Sequence, residues 1–418
     1  MNIEELYNHY KQHFLVDTDT RSIRKNTIFF ALKGPNFNGN TFAEKALNAG
    51  AILSIVEEPL HVTKPHILLV ENVLGTLQKL ANYHRKQLNI PIIGLTGSNG
   101  KTTTKELIHA VLSKKYKTVA TVGNLNNHIG VPLTLLSMRP STEIGIVEMG
   151  ANHQKEIDFL THLCEPNFGY VTNFGKAHLE GFGGIEGVIR GKSELYTYLK
   201  DEGGIAFVNP DDKIQLEKTK EIERVFFEKK LTLKITNPFV EVDYKGTSIK
   251  SNLIGTYNFT NICAAVTFGN YFSVLPKDIK DALESYAPNN NRSQIIRKGT
   301  HKIILDAYNA NPTSMKAAIE SFQLMEDENK VLILGDMFEL GEFELEEHQK
   351  IAALTLAANF KTVFFIGNLF HKVATDFLQF KEFSDLEKHL NTIKLSNNTI
   401  LIKGSRGMQL ERVLELLN

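Results

Sequence analysis

A chain of 418 residues is long enough for two or three domains. Its 47 basic and 47 acidic residues cancel, which removes a global electrostatic case for nucleic acid or an anionic membrane as partner. Hydrophobic residues make up 42%, enough for ordinary cores, and no apolar run approaches the ~20 residues of a membrane span. Cys164 and Cys263 stand far apart in apolar stretches, so neither a disulfide framework nor a zinc site is expected. The first residues, Met1-Asn2-Ile3-Glu4-Glu5, lack the basic and apolar segments of a signal peptide. A cytoplasmic monomer is expected.

Residues 1–83 carry short mixed elements, with strands expected at 27–32, 52–56 and 66–70 and a helix at 43–49. The polar stretch Asn82-Tyr83-His84-Arg85-Lys86 reads as a helix end leading to Pro91, and the first boundary is set there. An apolar run over 90–95 then reads as a buried strand. It is followed by Gly94-Leu95-Thr96-Gly97-Ser98-Asn99-Gly100-Lys101-Thr102-Thr103 and a helical pattern over 103–112. A glycine-rich turn between strand and helix directs backbone N–H groups, and the positive end of the helix dipole, at one point where a polyphosphate fits. Lys101 adds a mobile cation for the outer phosphates, and the Thr102 hydroxyl suits Mg²⁺. Leu95 stands where the consensus loop has its first glycine, so this is the tighter G-x-x-G-K-T form. ATP or GTP is the expected ligand.

Strands at 118–122, 144–149, 168–172, 205–208 and 225–227 alternate with helices, the rhythm of a parallel sheet covered on both faces. Residues 231–253 switch to a period of two and read as an antiparallel ribbon, followed by a helix over 258–272. The polar run Pro288-Asn289-Asn290-Asn291-Arg292-Ser293 marks a second boundary. Strands at 303–306, 331–335, 363–367 and 399–403 then form a smaller open α/β domain without its own phosphate loop. Three domains are expected: 1–83, 84–293 and 294–418. The fold class is α/β, with a small N-terminal domain, a central parallel-sheet domain carrying the phosphate loop, and a Rossmann-like C-terminal domain.

In open α/β sheets ligands sit at the carboxyl ends of the strands. Glu148 ends the strand of Ile144-Gly145-Ile146-Val147-Glu148-Met149 and is a natural Mg²⁺ ligand beside a nucleotide loop; a solvated acidic residue is the plain alternative. His178 follows the next strand in a glycine-rich loop, where a metal or a structural hydrogen bond would suit it. Lys192, in Lys192-Ser193-Glu194-Leu195, is by composition an ordinary surface lysine.

Taken together these motifs resemble the Mur ligases, ATP-dependent amide-forming enzymes of peptidoglycan synthesis. The resemblance rests on the Thr96 to Thr103 loop, Asn124-Leu125-Asn126-Asn127-His128-Ile129-Gly130-Val131-Pro132, Glu148-Met149-Gly150-Ala151-Asn152-His153 and Ala177-His178-Leu179-Glu180-Gly181-Phe182. It continues through Lys192-Ser193-Glu194-Leu195, the segment from Asn258 to Ala265, Tyr308-Asn309-Ala310-Asn311-Pro312, Gly335-Asp336-Met337 and Gly404-Ser405-Arg406. The Tyr308 to Pro312 segment is similar to the member that joins D-alanyl-D-alanine to a UDP-muramoyl tripeptide. Folylpolyglutamate synthase, also an amide ligase of this superfamily, lacks the Asn124 to Pro132 signature. A non-catalytic nucleotide-binding module would not need Glu148, His178 and Lys192 together.

The resemblance implies roles. Lys101, Glu148, His178 and Lys192 would be catalytic. Gly97, Ser98, Asn99, Gly100, Lys101, Thr102 and Thr103, with Asn258, Asn261, Arg292 and Asp306, would bind ATP. Thr102, Glu148, His178 and Lys192, the last carbamylated by CO₂, would hold Mg²⁺. Thr20 and Arg21, in a first domain similar to the family's uridine-nucleotide anchor, would contact substrate with Asn126, Asn127, Asn309, Asn311 and Arg406. One family histidine is Tyr257 here, and the anchor's usual turn is Asn38-Gly39-Asn40.

Overall fold

The computed structural model describes residues 2–235, 237–393 and 395–417. Three wholly or largely parallel sheets follow one another along the chain. The first has four parallel strands in the order Val16–Asp17, Ile28–Phe30, Leu53–Val56, Ile67–Leu69. The central sheet has six parallel strands, ordered Glu223–Phe226, Ile205–Val208, Phe168–Val171, Ile92–Thr96, Ile144–Glu148, Thr118–Ala120. Its middle strands are buried on both faces, as helices on both sides require. One face packs on the helices Lys101–Leu112 and Tyr257–Tyr271 and on a three-stranded antiparallel ribbon spanning 231–254. The last sheet runs Gln294–Lys298, His301–Asp306, Thr399–Lys403, Lys330–Gly335, Thr362–Ile366, Leu378–Phe380, with only its first strand antiparallel.

The second expected boundary falls immediately before Gln294–Lys298. The first falls inside an element: the helix Val73–Leu88 runs through residue 83. The polar stretch that read as a helix end does close this helix, with Arg85 and Lys86 in its last turn, but within it His84 and Arg85 are buried and partnered while Lys86 is exposed. His84 lies between the Tyr7 hydroxyl (3.2 Å) and the Met138 carbonyl (3.1 Å), and Arg85 Nε donates to the Cys164 carbonyl at 2.9 Å. Polar composition marks a surface only where such side chains lack partners. This helix packs on both the first and the central region and joins them.

Candidate active site

The carboxyl ends of the central and last sheets face a cleft of about 890 Å³. On the central side the strand Ile92–Thr96 turns into the helix Lys101–Leu112 through two left-handed glycines. Gly97 has φ +139° and passes so close to Thr172 that a Cβ would lie 2.0 Å from its Oγ1; Gly100, at φ +77°, caps the helix. Of Gly97 to Thr103, the loop residues expected to bind ATP, all but Gly97 line the cleft. Lys101, expected as a mobile cation, is the first helical residue, and its Nζ folds back onto the carbonyls of Gly97 (2.7 Å) and Ser98 (3.3 Å). Burial lowers its pKa to about 8 against the opposing pull of Glu148, with Arg292 adding to the depression. A phosphate would take over those hydrogen bonds and supply the missing counter-charge.

Glu148 is fully buried at the end of its strand. Its Oε1 accepts from Thr102 Oγ1 at 3.2 Å and from Asn126 Nδ2 at 2.8 Å. Its Oε2 has no hydrogen-bond partner and faces Lys105 Nζ at 3.7 Å. An orphaned carboxylate oxygen next to a hydroxyl and a phosphate loop is the oxygen donor set a magnesium ion takes. Asn127 lines the same wall, but its Oδ1 is used on the amides of Ile129 and Gly130.

His178 reaches the cleft in a left-handed conformation, φ 53°, and its Nδ1 meets Glu339 Oε2 of the last region at 2.5 Å. Lys192 lies behind the cleft wall with no exposed surface. Its Nζ donates to the Ala151 carbonyl at 2.9 Å and stands 5.0 Å from the Phe182 ring. Burial, reinforced by Lys101, pushes its pKa well below that of an ordinary lysine. Among the described residues no three His, Cys, Asp or Glu side chains form a preformed metal cage.

Asn258 and Asn261 line the cleft with chained amides: Asn261 Nδ2 donates to Asn258 Oδ1 at 2.7 Å, and Asn261 Oδ1 accepts from Thr104 at 3.0 Å. From the linker, the Arg292 guanidinium lies 3.7 Å over the Tyr308 ring with its Nε buried and unpartnered. Asp306 ends its strand held on both oxygens, by the Ser293 amide at 3.0 Å and by Lys403 Nζ at 2.6 Å. Asn309 Oδ1 accepts the Ala310 amide. Asn311 caps the helix Pro312–Leu324 and donates to Asn99 Oδ1 at 2.7 Å.

Three expected substrate residues stand away from this cleft. Arg21 is forked onto Asp19 at the surface beside Thr20, and Arg406 is turned to Glu411 at 2.9 Å. Conversely, Lys403, Glu339 and Lys105 were missed. Lys403 was open to the strand-end argument that singled out Glu148, since it closes the apolar strand Thr399–Lys403. Glu339 and Lys105 gain meaning only from partners distant in sequence.

The Mur ligase middle domain matches residues 95–269, and the Mur ligase, glutamate ligase domain matches residues 291–406. UDP-N-acetylmuramoyl-tripeptide--D-alanyl-D-alanine ligase of Bacillus subtilis is 35% identical over 96% of this chain and 92% of its own. The crystal structure I of MurF from Acinetobacter baumannii superposes with a TM-score of 0.84 at 30% identity, covering 96% of this chain and 92% of that one. The MurF ligase from Thermotoga maritima in complex with ADP gives 0.84 at 28%, covering 96% of each. The chain belongs to the Mur ligase family, with the UDP-N-acetylmuramoyl-tripeptide--D-alanyl-D-alanine ligases as its relatives there.

Proposed function

We propose that the protein is an ATP-dependent ligase that joins D-alanyl-D-alanine to a UDP-N-acetylmuramoyl tripeptide, in the cytoplasm and as a monomer. The observation that carries this is the shared cleft. A phosphate loop and a carboxylate with a free oxygen face Arg292, Asp306 and the Asn309 to Asn311 segment across one cavity, in a chain whose relatives carry that name over nearly their whole length. A carboxylate is a poor acyl donor. Its oxygen attacks the γ-phosphorus of ATP, the bond to the bridging oxygen of ADP breaks, and an acyl phosphate forms. The neutral amine of the dipeptide then attacks the acyl carbon, phosphate leaves with the shared oxygen, and the amine loses a proton. Both reactants of the first step are anions. Lys101, Arg292 and the N-terminus of Lys101–Leu112 bring positive charge to meet them. Mg²⁺ held by Thr102 and Glu148 neutralises further phosphate charge when bound. Asp306, Asn258 and Asn261 orient the nucleotide, and the first region, through Thr20 and Arg21, anchors the uridine end.

Lys192 is proposed to carry a carbamate and, with His178, to serve a second metal. Its burial favours the neutral amine that captures CO₂; the new N–C bond forms as one proton leaves, and the side chain becomes an oxygen donor. Release of ADP and phosphate should require Mg²⁺, the tripeptide and D-alanyl-D-alanine together. Equal turnover with free D-alanine or glutamate in place of the dipeptide would overturn the assignment.

A further inference from the structure

Two asparagines, one in the phosphate loop and one in the last region, meet across the cleft. Asn311 Nδ2 donates to Asn99 Oδ1 at 2.7 Å. The orientation of the Asn311 amide is set by its own helix. Its Oδ1 accepts the Ser314 amide at 2.9 Å as the cap of Pro312–Leu324, so only its NH₂ end can face Asn99. A donor on Asn311 in turn requires an oxygen on Asn99. That leaves Asn99 Nδ2 pointing the other way, where it is buried, has no hydrogen-bond partner, and lies beside Gly175. The Asn99 backbone is fixed independently. Its N–H donates to Asn173 Oδ1 at 3.1 Å, and its carbonyl accepts from Thr172 Oγ1 at 2.6 Å and Asn173 Nδ2 at 3.0 Å. Only the side-chain amide is left to be set, and the last region sets it.

A buried donor without a partner is costly, and Asn99 lines the cleft between Ser98 and Gly100, so the acceptor assigned to it is an anionic oxygen brought into that cleft. We infer that Asn311 is a positioning residue for the phosphate loop: by holding the oxygen of Asn99 it presents Asn99 Nδ2 as a donor to an oxygen of the bound triphosphate. Asn311 then acts on the nucleotide, not on the incoming dipeptide, and the loop reaches full complementarity only when the last region is docked. This rests on the ATP reading above.

Calorimetric binding of a non-hydrolysable ATP analogue with Mg²⁺ to the full chain tests it. Asn311→Ser keeps a good helix cap but is too short to reach Asn99, and should weaken the analogue about tenfold, the scale of one hydrogen bond to a charged group. Asn311→Asp keeps the cap but removes the donor. Asn99 should then turn its amide around and present oxygen to the phosphate, a loss at least as large. In an Asn99→Ala background neither change should cost more, and the KM for D-alanyl-D-alanine should stay as in the parent. Unchanged analogue affinity with a raised dipeptide KM would overturn the inference, as would fully additive losses in the double variants. Failure of the unaltered chain to bind the analogue at all would instead sink the ATP reading and this inference with it.

Discussion

At the seam between the first and central regions, Tyr7, Tyr10 and Phe14 pack around the buried ring of His84, and the Tyr10 hydroxyl donates to the Leu136 carbonyl at 2.8 Å. The helix Val73–Leu88 crosses that seam without a break. Between the central and last regions apolar packing also runs, Ile254 lining a small void with Ile304, Phe322 and Met325, but the contacts that face the cleft are of another kind. Asn311 meets Asn99, Lys176 Nζ meets Glu347 at 2.7 Å, His178 meets Glu339, and the Lys176 amide donates to Thr313 at 2.9 Å. Apolar burial is lost outright when a joint opens, whereas hydrogen bonds and part-exposed ion pairs are exchanged for water at small net cost. The cleft face of the second seam is therefore expected to open at smaller cost than the first seam. An enzyme that must admit three substrates and then exclude water from an acyl phosphate needs the second kind at its chemical centre.

If the polar seam carries chemistry and the aromatic seam only stability, substitutions should separate the two. The largest effect on turnover is expected from Lys192→Ala behind the cleft: turnover should fall about 10²–10³-fold or more at temperatures where circular dichroism shows the variant still folded. A short-chain carboxylic acid should restore part of it by replacing the carbamate. Activity preserved in the alanine variant, with an unmodified lysine seen by mass spectrometry of the intact protein, would refute the role. Tyr10→Ala should do the converse. Truncating a fully buried aromatic side chain costs about 3–5 kcal/mol of unfolding free energy, while turnover measured well below the melting temperature should hardly move.

The aromatic seam should also be the acid-sensitive one. Burial lowers the His84 pKa from 6.5 to about 4, so the ring is neutral when folded. The unfolded chain takes up a proton below pH 6.5 and the folded chain does not. The stability contributed by this site is thus present above pH 6.5 and lost as pH falls toward 4, by up to about 3 kcal/mol. Urea unfolding at pH 7 and pH 4.5 should show that loss in the parent and a smaller one in His84→Gln; equal losses would place the acid sensitivity elsewhere. The smallest effect is expected at the rim of the polar seam. Lys176 is half-exposed, so Lys176→Met should cost under ~1 kcal/mol. It should nevertheless shift distance labels on the central and last regions toward the open population about a hinge at 288–293, and substrates should reverse the shift. A distance distribution unchanged by every ligand combination would favour a preformed site.

The strand, glycine turn and helix of the phosphate loop were legible in the sequence because each depends on its immediate neighbours: an apolar run, two residues free to adopt positive φ, and a helix-starting Lys-Thr pair. The alternation of buried strands with helices, and the ribbon over 231–254, were legible for the same reason, since side-chain period is a local property. Burial is not local. Lys192 shares its helix with the exposed Lys200, and nothing in spacing alone separates them; what does is that the first packs against Ala151 and Phe182 while the second pairs with Glu221 at the surface. His84 and Arg85 read as part of a polar helix end, which they are, but their burial among partners distant in sequence was not legible. Asn311 stood out in the sequence only as part of the Tyr308 to Pro312 motif; its place as a helix cap comes from the fold, and its free NH₂ gains a role because the last sheet docks against a loop 212 residues earlier in the chain. Local chemistry determined which groups this protein carries; long-range packing decided which are dry, which are paired, and which are left with a valence for a ligand, because desolvation and pairing depend on neighbours that only the folded chain brings together.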